Sequence, residues 1–297
     1  MLNLLLVLLL LFAAGNAIIM LRAAIAQRAW PRPDAAVLGA VVNFFDTLGI
    51  GSMAPTMAWF KFRRMVPDKL IPHTMMAGLT LPTVVEGLIF LSLLGVSVDP
   101  VLLIGSILAL LAGGWAGIPL VGRARLWVVQ ALVGTALLLA ATFYILSNLD
   151  LMPLGGTASS LPPGLTVIAI IMNFGFGLLL NFGVGNYAPT LALLSLMGLD
   201  PRLCFPIMAA GASFTGAVIS GRQMHAGKID LRIAGAMVLA GIPAVLVAAL
   251  VVKSLPLVSL RWLVSAVIIY TGIVMLRSAA ASRQTETENA VAAPPAA

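Results

Sequence analysis

Two short stretches of the chain carry the same unusual local chemistry. GIGSMAPT occupies residues 49–56 and GVGNYAPT occupies residues 183–190, both inside long apolar runs. In each, a Gly-x-Gly pair frees the backbone to turn. A residue type favoured at helix starts comes next, Ser52 or Asn186. A proline comes three residues later, Pro55 or Pro189, where a first helical turn tolerates the missing N–H. The pattern predicts a helix that begins within the apolar segment, with free N–H groups and the positive dipole end at its start. Two such ends brought together make an anion site without a buried Lys or Arg. The plainer reading is close helix packing at glycine. A single Gly-x-Gly fits that reading; two matched copies, each followed by Ala-Pro-Thr, favour a site.

Other polar residues fall within apolar sequence. Asp46 precedes the first motif and Glu86 lies in the middle of the next apolar segment. Intramembrane acids are costly and mark ion or proton pathways. Each is read either as a protonatable coupling group or as a neutral acid hydrogen-bonded to backbone. Asn43, Thr47, Asn173 and Asn181 are cavity-lining candidates or inter-helix hydrogen bonders. His73 is expected at an interface, and Ser213 and Thr215 are ligands or back-bond to their own helix. The five tryptophans read as interface anchors, and Cys204 and the methionines as core filler. One cysteine and two distant histidines, His73 and His225, give no metal cage and no cofactor signature. The fragment GASF at 211–214 raises an intramembrane hydrolase, but His225 falls in a basic loop, away from any base position Ser213 needs.

The elements that hold these residues can be read from composition. Of 297 residues, 61% are hydrophobic and 9% charged, against about 45–50% and about 25% in soluble domains. That excludes a soluble enzyme, a disordered chain and a nucleic-acid binder, and it implies an all-α polytopic membrane protein with the lipid bilayer as its partner. Apolar segments lie at roughly 2–21, 35–60, 72–95, 100–121, 126–147, 164–197, 203–221, 231–252 and 260–276. The first is read as a retained helix rather than a cleaved signal. The motifs interrupt the second and sixth.

At an offset of 134 residues the two interrupted segments, each with its downstream stretch, align with ten identities over residues 49–87, among them Gly49/Gly183, Pro55/Pro189, Pro67/Pro201 and Gly87/Gly221. The expected organisation is residues 1–33 as a first helix and loop, 34–148 and 163–277 as two repeats of a broken helix plus three helices, and 278–297 as a disordered cytoplasmic tail. If the interrupted segments cross, the 17 basic residues split 8 to 9. If they re-enter, the split is 14 to 3, with only Arg202, Lys253 and Arg261 on the poorer side. The positive-inside rule selects the second arrangement. It has seven crossings, two re-entrant hairpins, an outside N-terminus and a cytoplasmic C-terminus. Three crossings per repeat make the repeats inverted.

The paired Gly- and Pro-containing half-segments, the repeat and the length resemble the TauE/SafE sulfite exporter family of membrane permeases over roughly residues 35–277. The resemblance implies transport of sulfite or a small organosulfur anion across the bacterial inner membrane. Carried onto the motif positions, it implies substrate contacts from Gly49, Gly51, Ser52, Ala54, Pro55 and Thr56, and from Gly183, Gly185, Asn186, Ala188, Pro189 and Thr190. The family often has a richer glycine run than GIGS in the first motif. Alternating access with export is the leading expectation, and proton-coupled sulfonate uptake is the alternative.

Overall fold

The structure is a computed structural model that describes residues 2–67, 70–117, 125–149, 151, 156–180, 184–225 and 229–292. Eleven α-helices fill these residues: α1 (Leu2–Ala26), α2 (Pro33–Thr47), α3 (Met53–Arg63), α4 (Ile71–Leu94), α5 (Pro100–Gly117), α6 (Leu126–Asn148), α7 (Pro163–Leu180), α8 (Tyr187–Leu196), α9 (Pro201–His225), α10 (Leu231–Ser254) and α11 (Leu257–Ala292). Helix starts reflect local chemistry. Pro33, Pro100, Pro163 and Pro201 open helices, where their fixed φ fits and no N–H is missed. Carboxylates of Asp99, Asp200 and Asp230 accept from the first backbone N–H groups of α5, α9 and α10 at 2.9–3.0 Å.

Among the described residues, seven helices are long and apolar enough to cross a membrane: α1, α4, α5, α7, α9, α10 and α11. The number matches the expectation. The segment that holds α7 is expected from sequence to re-enter, yet α7 alone is long enough to cross. In the structure α7 runs 18 residues, about 27 Å at 1.5 Å per residue. The α6 helix, expected to cross, runs 23 residues.

Packing between the two halves is reciprocal. The α2 helix packs against α10, and its repeat counterpart α7 packs against α5. The counterparts α4 and α9 meet each other at the centre, as do α6 and α11. Small residues make the crossings close. A side chain on Gly39 would collide with the Met237 backbone, and one on Gly177 with the backbone of Leu110 and Gly113. At the α6–α11 crossing, a Cβ on Gly134 would lie 3.0 Å from the Gly272 carbonyl, and one on Gly272 3.2 Å from the Gly134 carbonyl. Leucine, valine and phenylalanine side chains cover the outside of the bundle, as a lipid-facing surface requires.

The segment expected to be disordered from residue 278 is helical to Ala292. Its side chains find partners on and just before α6. Ser282 Oγ bonds Gln130 Oε1 at 3.1 Å, the Arg283 guanidinium lies 5.3 Å from the centre of the Trp127 ring, and Arg125 pairs with Glu286 at 3.4 Å. Polarity suggested a solvated tail; pairing with the α6 end extends the helix instead.

Candidate functional site

The two motifs meet. A cavity of about 60 Å³ is lined by Asp46, Gly51, Ser52 and Met53 from the first interrupted segment and by Leu180, Gly185, Asn186 and Tyr187 from the second. Met76, Leu79, Thr80 and Thr83 of α4 and Ala212, Thr215 and Gly216 of α9 complete it. One water needs roughly 10–15 Å³ of such space, so the cavity takes a group of about four or five heavy atoms. The α3 and α8 helices both start at its wall, at Met53 and Tyr187.

The backbone at the first motif is set by glycine. Gly49 and Gly51 have φ of +94° and +88°, a region that L side chains enter at a cost of about 1–2 kcal/mol. Gly185 does not need positive φ. A Cβ at either Gly51 or Gly185 would meet no atom within 4 Å, so both positions open onto space, whereas one at Gly49 would lie 3.2 Å from Leu191.

The two helix starts are not capped as their residue types predict. Neither Ser52 nor Asn186 makes a side-chain cap, and both residues sit in the right-handed helical region. Asp46 does the work at α3: its Oδ1 accepts the Ser52 N–H at 2.8 Å. At the second motif the Asn186 amide turns away and donates to the Met208 carbonyl at 3.2 Å.

The remaining residues singled out by sequence divide clearly. Thr56 is buried and donates to the Ser52 carbonyl at 2.7 Å. Thr190 is buried and donates to Asn173 Oδ1 at 3.3 Å. Ala188 is buried in α8. None of these three lines the cavity, and Ala54 contributes helical backbone to α3. Gly183 and Asn181 lie outside the described residues. Asn43 and Asn173 bond their own helices, donating to the Gly39 and Ala169 carbonyls at 2.7 and 2.9 Å. Glu86 is buried behind the cavity, accepting from Thr47 Oγ1 at 3.4 Å with Oε2. Ser213 Oγ lies 2.8 Å from the Thr83 carbonyl and 2.6 Å from the Ala209 carbonyl. Its proton is committed to a helix contact, which leaves no activated nucleophile.

Sequence reasoning missed Tyr187, Met53, Thr80 and Thr83. Tyr187 directly succeeds Asn186, but its counterpart is Met53, so a search for identical positions passed over it. A larger open groove of about 680 Å³ runs between α1 and α10 and is almost wholly apolar, with Arg28 its charged residue. It lacks the converging polar groups of a small-ligand site, and the cavity between the motifs has them.

No curated protein and no solved structure matches the chain. A family model does match: residues 165–297, which hold all but the first two residues of α7, the second motif and α8 to α11, fit the family described as Sulfite exporter TauE/SafE, and the likeness read from the motifs is found in that part of the chain.

Proposed function

We propose that the chain exports sulfite or a small organosulfur anion, holding it between the starts of α3 and α8 and exposing it alternately to the two sides of the membrane. The observation that carries this reading is the shared cavity, whose wall contains the first residues of both half-helices. Backbone N–H groups and the positive ends of two helix dipoles favour a negative ligand there. Its size suits a sulfite or the head of a sulfonate. The reciprocal pairing of α2 with α10 and α7 with α5 supports inverted repeats that rock against each other, the arrangement common in secondary transporters.

Membrane potential supports the outward direction. One charge crossing 100 mV is worth about 2.3 kcal/mol, so a dianion leaves a negative interior by roughly twice that. In this reading the N-terminus is outside, the C-terminus faces the cytoplasm, and the membrane is the bacterial inner membrane. Reconstituted protein tests it. Sulfite-loaded liposomes should release sulfite faster than empty-membrane controls when the lumen is held negative, and the flux should saturate. Flux that is linear in concentration and insensitive to Gly185→Ala would remove the proposal.

A further inference from the structure

Two buried acids, Asp46 near the end of α2 and Glu86 within α4, have no basic partner among the described residues. Asp46 is 5% exposed and Glu86 is fully buried. They interact electrostatically with each other, and both interact with Tyr187. These three are the titratable groups that face one another: Asp46 from α2, Glu86 from α4 and Tyr187 from α8. The α9 helix contributes Ala212, Thr215 and Gly216 to the same wall. On α10, Gly241 faces Asn43: a Cβ there would lie 2.6 Å from the Asn43 amide nitrogen. The basic residues of α3, Lys61 and Arg63, are at its far, exposed end.

The two acids are held differently. Asp46 takes a backbone N–H at a helix start, the position where a carboxylate's charge is best stabilised. Glu86 has one long contact to Thr47, and its Oε1 is buried without a hydrogen bond. An uncompensated pair of buried charges is prohibitively costly, and Glu86 is the less compensated of the two. Tyr187 is a second, independent pointer. It is 3% exposed and on the cavity wall. Its hydroxyl lies near enough to Glu86 to feel its charge, yet completes no hydrogen bond of good geometry. It is a buried donor on a cavity-lining residue, with Glu86 as its neighbouring acid.

We propose that an anion entering the cavity binds together with one proton, taken up by Asp46 from solution, so that this transporter moves its substrate in fixed ratio with protons. This rests on the proposed anion site. Asp46 lines the cavity and is itself the anion at the α3 start. A substrate anion placed there meets a like charge in a water-poor space. Protonating the Asp46 carboxylate removes that charge and releases the Ser52 N–H to the substrate; on departure the proton leaves and Asp46 recaps α3. One proton carried out with a dianion halves the charge on which the membrane potential acts, and a gradient acid outside then slows export while a gradient acid inside speeds it.

The test uses detergent-purified full chain and methanesulfonate, whose single charge does not titrate near neutral pH. A pH-indicator dye in weak buffer should report one proton taken up per anion bound. Affinity should fall tenfold per pH unit on the alkaline side, by linkage. Asp46→Asn should bind without proton uptake and without pH dependence, while Glu86→Gln should keep both. Binding of methanesulfonate by wild type with neither proton uptake nor pH dependence overturns the coupling and leaves the anion site standing. A requirement for sodium at constant pH overturns the proton in favour of a metal cation. Absence of binding by methanesulfonate and sulfite at every pH removes the anion site and the coupling with it.

Discussion

The two interrupted segments share one pattern, yet the structure uses them unequally. Eight of the ten residues of α8 are buried, and it packs against α6, α7, α9 and α11. In α3, Thr56 and Phe60 are the buried ones among the described side chains, while Trp59, Lys61, Phe62 and Arg63 are exposed. Its packing partners are α2 and α4. The first segment also carries its own anion, Asp46, on the Ser52 N–H; the second has Leu180 at the matching position. One half-helix is anchored and electrostatically open, the other loosely held and already neutralised. The difference teaches that equal motifs need not make equally held helices: α8 is packed on four sides, and α3 on two.

Making the second segment resemble the first should have the largest effect. Leu180 lines the cavity, so Leu180→Asp places a carboxylate beside the ligand. A like charge at about 4 Å costs roughly 4 kcal/mol at an effective dielectric of 20, about three orders of magnitude in affinity. Calorimetric titration with sulfite checks this, and unchanged affinity would deny that the cavity holds an anion. The reverse change, Asp46→Leu, leaves the buried Ser52 N–H without its acceptor. Loss of about 1–3 kcal/mol in stability is expected, read from a thermal or denaturant melt. Next in size is Gly51→Ala. Its positive φ predicts a stability loss of about 1–2 kcal/mol even though the added methyl meets open space. The smallest effect is dynamic. Amides of α3 should exchange with deuterium faster than those of α8, because fewer neighbours hold them; equal protection would erase the contrast between anchored and loose ends.

Much of the architecture was legible because lipid leaves the chain few choices. Scarce charge and long apolar runs specify helices, and the matched Gly-x-Gly and Ala-Pro-Thr stretches located both breaks. Their convergence on one cavity was expected from the repeat, and the structure places Gly51, Ser52, Gly185 and Asn186 on its wall. Capping was not legible. Ser52 and Asn186 are favoured cap residues, but a carboxylate six positions upstream of Ser52 reached its N–H first. No local pattern encodes that contact, because it depends on how sharply Gly49 and Gly51 turn the chain. Tyr187 was not legible for a related reason: it stands on the cavity wall where the repeat has Met53, so identity between the motifs does not mark it. The end of α11 was misjudged because its partners on and beside α6 are more than 150 residues away in sequence.

The central claim is that an anion sits between the two half-helix starts, and Gly185 offers the cleanest access to it. The added methyl of Gly185→Ala meets no atom within 4 Å and needs no positive φ, so the variant should fold with wild-type stability while occupying cavity space. Thermal melts of purified wild type and Gly185→Ala, each titrated with sulfite, measure the claim directly. Wild type should be stabilised by mass action, about 2.7 kcal/mol at a hundredfold excess over Kd, and the variant should need at least tenfold more sulfite for the same shift. Equal shifts in the two proteins, or none in wild type, would contradict the account.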